Sequence, residues 1–210
     1  MRRNRLTIAG VAAGIVFAVG FVMVIMVPGL GGTSTTKDFT DFYGSGGKRG
    51  AASLLGFVLV IGCWLMVWLF AELRASFTNS VRADVAYRLG VIAAAAVMIG
   101  AAVELGPTMA QNGSDNTDFV GVPIAHTFAQ AGAGAVIIGL FTFAAAVLLC
   151  GLEFRRATAF PRWLGTLSIV FAILLIGSFF ALPGFLLPIW AIVVGIAGRG
   201  GNAPAVPASS

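Results

Sequence analysis

The chain has 210 residues, of which 59% are hydrophobic and 10% are charged, and its mean hydropathy is +0.98. A soluble domain usually has roughly 25% charged residues, because polar side chains must cover its surface. This composition excludes an ordinary water-soluble domain and indicates an integral membrane protein, whose lipid-facing surface can be as apolar as its core. We attribute the net charge of +5 to loops that contact anionic lipid on one side of the bilayer, and we predict no nucleic-acid partner.

The first apolar run covers residues 6–27 and follows a basic start. At a helical rise of about 1.5 Å per residue, it is long enough to cross a hydrocarbon core of about 30 Å. The polar segment after it contains Phe39, Phe42 and Tyr43, whose spacing places them on one face of a short interfacial helix. We therefore predict a first span followed by a helix at the membrane surface.

Three further apolar runs occupy the middle of the chain, at residues 51–71, 88–105 and 126–151. Each is long enough to predict a separate membrane-spanning helix. Gly106 and Pro107 follow the second of these runs and predict that its helix stops there, because proline lacks a backbone N–H.

The last apolar run is about 35 residues long and would extend about 52 Å as one helix, which exceeds the thickness of the hydrocarbon core. Pro183 and Gly184 predict a break within it, because this pair favours a turn. The break divides the run into spans at 163–181 and 185–198. The remaining residues, 200–210, are rich in small residues and proline and predict a disordered tail.

Basic residues are distributed unequally between alternate connectors, and short loops rich in Lys and Arg stay in the cytoplasm. With the N-terminus inside, cytoplasmic segments hold ten of the 13 basic residues, including Arg199 after the last span. We therefore predict an all-α fold, a single transmembrane domain over residues 1–199. It is a polytopic bundle of six spans with the N-terminus and C-terminus both cytoplasmic. The Arg-rich and Ala-rich composition indicates a multi-pass protein of a bacterial plasma membrane.

Side chains that support catalysis or metal binding are few in this sequence. Cys63 and Cys150 fall at different depths of their predicted spans, so we expect free thiols. Neither has a Cys or His at a spacing suited to a metal site, and the sequence lacks the common phosphate-binding, serine-hydrolase and zinc-protease motifs. We therefore predict no cofactor, no metal and no enzymatic activity.

One candidate polar site consists of Glu104, His126 and Gln130, which fall near the outer boundary of the third and fourth spans. His126 and Gln130 are four residues apart and share a helix face. A functional interpretation makes Glu104 and His126 a proton-linked pair or a ligand site, since ionisable groups at membrane depth are costly. A structural interpretation places both in the hydrated headgroup region, and their position near the helix ends favours it.

Small residues recur at helical spacing in the first and fourth runs, where they allow helices to approach closely in lipid. They predict packing inside the bundle, or else a face for a partner or a second copy. The candidate packing residues are Gly10, Gly14 and Ala18 in the first run and Ala131, Ala135 and Gly139 in the fourth.

Several short segments carry a family resemblance. They are the aromatic residues at 39–43, FAELR at 70–74, FPRWLG at 160–165 and LPIW at 187–190 followed by Gly195. In these segments the chain resembles a broad group of uncharacterised actinobacterial six-helix membrane proteins, of the DUF4386-like type. The resemblance implies six spans, and it brings neither a function nor functional residues.

Two functional classes follow from these observations. The first is a non-catalytic accessory or assembly component that acts by helix packing, with the lipid bilayer and a membrane-protein partner or second copy as its contacts. The small-residue spacing and the scarcity of reactive groups favour it. The alternative is a small transporter or permease, which would need a polar path at mid-membrane, whereas the centres of the predicted spans are apolar.

Overall fold

The computed structural model describes residues 2–28, 35–77, 79–112, 121–158, 160–176 and 182–198. Seven α-helices and one 3₁₀ turn account for the regular structure in these ranges, which confirms the all-α prediction. The helices are α1 (Arg2–Met26), α2 (Thr36–Tyr43), α3 (Gly46–Ser76), α4 (Val81–Asn112), α5 (Val122–Arg156), α6 (Arg162–Ile176) and α7 (Leu186–Ala197), and the 3₁₀ turn is Leu182–Phe185.

Four of the described helices, α1, α3, α4 and α5, are long and apolar enough to cross a membrane. Helices α6 and α7 are also apolar but shorter, with 15 and 12 residues. The amphipathic helix α2 has eight residues, and it buries Phe39, Phe42 and Tyr43, the three aromatic residues that were predicted to share one face. These helices indicate a membrane protein.

Close approaches at glycine show that neighbouring helices run antiparallel. Gly10 of α1 lies against Gly195 of α7, and one turn earlier Leu6 lies against Gly198, just after the end of α7. The start of α1 and the end of α7 are therefore at the same end of the bundle. Four other helix pairs are antiparallel by the same kind of evidence. Helix α1 contacts α3 at Gly20–Leu59 and Phe17–Gly62, and α3 contacts α4 at Gly56–Leu105 and Phe70–Gly90. Helix α4 contacts α5 at Gly100–Gly132 and Val97–Gly139, and α5 contacts α6 at Arg155–Gly165 and Gly151–Ser168.

These contacts arrange six helices in a closed ring in the order α1, α3, α4, α5, α6, α7, with α7 returning to α1. Because each helix of the ring is antiparallel to the one before it, α6 runs in the direction of α1. Helix α7 is antiparallel to α1, so α6 and α7 run in opposite directions. The last apolar run is thus two helices, and the break predicted at Pro183 and Gly184 falls in the 3₁₀ turn before α7.

Aromatic side chains from four helices pack in the centre of the ring. Phe70 of α3 stacks on Phe143 of α5 and on Trp190 of α7, with ring centroids 6.0 and 5.6 Å apart. Phe17 of α1 meets Phe143 edge to face at 6.2 Å. The Trp190 indole N–H donates to the Ser168 hydroxyl of α6 at 2.9 Å, which satisfies a buried polar group.

Helix α4 does not stop at Gly106 and Pro107 but continues to Asn112, so the predicted helix stop is wrong. Proline removes one backbone hydrogen bond and crowds the preceding turn. The extensive contact of α4 with α5 offsets that cost. The predicted tail at 200–210 and the end of the predicted span at 163–181 lie outside the described residues.

The two ends of the bundle differ in charge. The end formed by the first turns of α1, α4 and α6 and the last turns of α3, α5 and α7 is named the basic end. The basic residues of this end within the described ranges are Arg2, Arg3, Arg5, Arg74, Arg82, Arg88, Arg155, Arg156 and Arg162. Here the Arg74 guanidinium pairs with Asp84 at 2.5 Å and Arg82 pairs with Glu153 at 3.7 Å. The described basic residues at the opposite end are Lys37, Lys48 and Arg49.

Candidate functional site

Glu104 is the residue around which a candidate site forms, at the end of the bundle opposite the basic end. Its side chain lies on α4 and is 0% exposed. Gly132 of α5 lies against it so closely that a Cβ added to Gly132 would be 2.7 Å from the Glu104 Cβ. The absence of a side chain at Gly132 thus lets α5 close over this carboxyl group.

Two hydroxyl side chains accompany the carboxyl group. Tyr43 of α2 is 2% exposed, and Thr108 lies one turn after Glu104 on α4. Burial raises the pKa of Tyr43, the Thr108 hydroxyl lowers it, and the negative charge of Glu104 raises it. Thr108 and Glu104 are four residues apart and share one face of α4, and we call Tyr43, Glu104 and Thr108 the Glu104 cluster.

A third hydroxyl lies at the same level on α3. The Ser53 oxygen is buried, and Ser53 precedes by one turn Gly56, which lies against Leu105 of α4. Elements α2, α3 and α5 therefore surround this part of α4.

The negative charge of the Glu104 carboxylate has neither a hydrogen bond nor an ion pair within the described residues. Within the described ranges, neither of its oxygens has a hydrogen-bond partner, and the ion pairs found there involve other residues. Removing an ionised carboxylate from water without a partner costs several kcal/mol even after the protein relaxes. Burial without a partner is therefore unfavourable for the ionised form of Glu104.

Helix α2 packs on α3 and α5 at this end of the bundle. The helix begins with a capping box, in which the Asp38 carboxylate accepts from the Thr35 N–H at 2.6 Å and the Asp38 N–H donates to the Thr35 hydroxyl at 3.3 Å. At its other end, the Arg49 guanidinium donates to the Tyr43 carbonyl oxygen. The same spacing buries Phe39, Phe42 and Tyr43 together.

The structure separates Glu104 from the two residues predicted to join it. His126 and Gln130 are exposed on α5, and the His126 ring lies 5.6 Å from the Phe39 ring. Glu104 instead faces Gly132, which is on a different face of α5. The expectation that the Glu104 side chain is hydrated is wrong, because α4 continues past Pro107 and the side chain is 0% exposed against Gly132 of α5.

Sequence reasoning missed Tyr43 and Thr108 as members of the site. Thr108 follows Glu104 by four residues, a spacing that places both on one helix face. That signal was present, but a helix stop at Pro107 concealed it. The spacing places Tyr43 on an apolar face of α2, and its relation to Glu104 depends on how α2 packs in the fold.

The candidate packing residues divide between inner and outer faces. Gly10 and Gly14 face α7, and Gly139 faces Ala93 and Val97 of α4. Ala18 and Ala135 are half-buried, and Ala131 is exposed.

The described residues offer few groups for metal or covalent chemistry. No three His, Cys, Asp or Glu side chains come together in the described ranges to hold a metal ion. Cys63 on α3 and Cys150 on α5 are both buried and free. The chemistry available at the Glu104 cluster is therefore that of one carboxyl group with hydroxyl neighbours, which suits hydrogen bonding and proton exchange.

Comparisons with known proteins do not add a family to this geometry. A scan against protein-family models, a search of curated proteins and a search of solved structures each found no match to this chain. The resemblance to DUF4386-like proteins stays a prediction.

Proposed function

We propose that this chain is a multi-pass protein of the bacterial plasma membrane that acts by helix packing, as a non-catalytic accessory or assembly component. The observation that carries the proposal is the centre of the helix ring, where Phe17, Phe70, Phe143 and Trp190 pack together. Because aromatic side chains occupy this centre, the outer surface of the bundle is where another molecule would bind.

The proposed topology has six membrane crossings with both termini in the cytoplasm. Two observations support it: neighbouring helices of the ring are antiparallel, and the start of α1 lies beside the end of α7. The basic end, where these two helix ends lie, matches the cytoplasmic face by the excess of Arg in its short connectors. The resemblance to six-helix actinobacterial proteins agrees with this count.

An outward face of α5 offers a surface on which another membrane helix can pack. Ala131 is exposed, and a Cβ added to Gly134 would meet nothing within 4 Å. Small residues at this spacing let two helices approach closely in lipid, where dispersion contacts drive association. The partner is then a helix of another membrane protein or of a second copy.

Affinity purification of the tagged chain from its native membrane tests the proposal. We expect a stoichiometric membrane protein, or a homo-oligomer, to accompany the wild-type chain. Gly134→Leu should reduce its recovery at least about tenfold, equivalent to about 1.4 kcal/mol, because the larger side chain keeps the partner helix away. Thr166→Leu, which places the same leucine side chain on the exposed face of α6, should leave recovery unchanged.

A monomer without a stoichiometric partner would count against this function. The alternative is a small transporter or permease, and the buried Glu104 favours it, because ionisable groups at membrane depth often serve transport. A small molecule that accompanies the purified monomer, and is lost in Glu104→Gln, would support the transporter instead.

A further inference from the structure

The described groups that we place around Glu104 offer hydroxyls, and the described basic residues form no ion pair with it. From α2 it is faced by Tyr43, from its own helix by Thr108, and from α5 by the backbone of Gly132. Ser53 is at the same level on α3. Among the described residues of these four elements, no Lys, Arg or His forms an ion pair with Glu104.

Two other titratable or basic side chains on this side, His126 and Arg49, contact other groups. His126 of α5 is exposed and packs on Phe39, and the Arg49 guanidinium binds the Tyr43 carbonyl oxygen. The positive charge that a buried carboxylate requires must then come from a bound ion or proton.

We propose that Glu104 is a proton-binding site and that helix α2 is its cover. A proton needs a single oxygen lone pair and no cavity, and it converts the carboxylate into a neutral group that can donate one hydrogen bond. The hydroxyl oxygens of Tyr43 and Thr108 are the acceptors that the cluster provides. A metal cation would instead need a shell of several oxygen ligands around it.

Release of this proton leaves a buried negative charge with no described cation paired to it, so entry of water stabilises the ionised form. Helix α2 packs on α3 and α5 at this end of the bundle, and we infer that water reaches Glu104 past this short helix. Helix α2 is held by the three aromatic residues on its buried face and by the hydrogen bond from Arg49. Deprotonation of Glu104 should therefore displace α2 and admit water, and reprotonation should restore the closed arrangement. This proposal does not depend on the accessory function.

The sequence permits a selective test, because it contains only three glutamates, Glu72, Glu104 and Glu153. Glu72 accepts from the Trp68 indole N–H, and Glu153 pairs with Arg82. Infrared spectra of the chain in lipid nanodiscs, grown with glutamate labelled with ¹³C at the side-chain carboxyl, report these three carboxyl groups alone. We expect one protonated carboxyl band at neutral pH, lost in Glu104→Gln and retained in Glu153→Gln.

Amide hydrogen exchange of α2 tests whether this helix covers Glu104. Raising the pH should accelerate exchange of α2 in the wild-type chain beyond the intrinsic rate, and Glu104→Gln, which cannot ionise, should not show this acceleration. If Glu104→Gln does not fold, the labelled wild-type spectrum decides the protonation state by itself.

Two infrared results would overturn the proton site. One is a wild-type spectrum in which all three glutamates are ionised at neutral pH, and the other is a Glu104 band that responds to sodium rather than to pH. Equal exchange of α2 in wild type and Glu104→Gln at every pH would overturn the role of α2 as cover.

Discussion

Gly132 shows how a missing side chain sets the distance between two helices. A Cβ at this residue would lie 2.6 Å from the Gly100 carbonyl oxygen and 2.7 Å from the Glu104 Cβ, whereas one at Gly134 would meet nothing within 4 Å. Both glycines are on α5, so they form a matched pair. We expect Gly132→Ala to lower the free energy of unfolding by about 1–3 kcal/mol, the usual cost of overpacking.

Gly134→Ala should instead raise the free energy of unfolding by up to about 1 kcal/mol, because alanine is the better helix former. The measurement is reversible unfolding of both variants in mixed detergent micelles. Equal effects of the two substitutions would contradict the close contact of α4 and α5 at Gly132.

At the residue scale, the sequence indicated which residue types matter but not which way they face. The spacing of Ala131, Ala135 and Gly139 predicts a helix face, yet the face that packs on α4 contains Gly132 and Gly139. In a helix that is apolar on all sides, periodicity does not distinguish the protein-facing side from the lipid-facing side. The burial of Glu104 was missed for a related reason, because it depends on α2 and α5.

At the element scale, helix α2 was the most predictable part of the site. Its aromatic residues alternate with polar ones at helical spacing, and this pattern places Phe39, Phe42 and Tyr43 on one face, as the structure has them. Its start carries a second local signal, the capping box of Thr35 and Asp38. Local signals suffice here because a short amphipathic helix is specified mainly by its own sequence.

The capping box makes the stability of α2 depend on pH. Hydrogen bonds from the Thr35 backbone and side chain lower the pKa of Asp38 below its ordinary value of 3.8. A carboxyl group with a lowered pKa in the folded state stabilises it above the ordinary value, and this stabilisation is lost as the pH falls through the lowered pKa. We expect the first turn of α2 to fray under strongly acidic conditions.

Amide hydrogen exchange of α2, corrected for the intrinsic rate, measures this fraying. Asp38→Asn should reduce the dependence on acid, while Asp41→Asn, outside the capping box, should preserve it. The same acid response in wild type and Asp38→Asn would contradict the role of the capping box.

The sequence predicted that the long helices exist, but it did not predict where each of them ends. The break in the last apolar run followed from its length, since one helix of that length exceeds the hydrocarbon core. The continuation of α4 through Pro107 did not follow, because the local signal of proline opposes it and only contact with α5 offsets the lost hydrogen bond.

At the scale of the whole molecule, composition and charge predicted a helical membrane protein, and the charge bias predicted which connectors share a side. Neither predicts which helices are neighbours. The ring order and the aromatic centre of Phe70, Phe143 and Trp190 depend on contacts between residues far apart in the chain. Such contacts leave no periodic trace in a single sequence.

We propose that the bundle spans the membrane with its basic end in the cytoplasm. Labelling of single cysteines in cells with a membrane-impermeant thiol reagent distinguishes the two sides of the membrane. Gly47 at the opposite end and Thr158 at the basic end are both exposed, whereas the native Cys63 and Cys150 are buried and should react little.

We predict that Gly47→Cys is labelled on intact cells and that Thr158→Cys is labelled only after the membrane is permeabilised. The wild-type chain gives the background from the native cysteines. Labelling of Thr158→Cys but not Gly47→Cys on intact cells would contradict the orientation, and labelling of both on intact cells would contradict a membrane-spanning bundle.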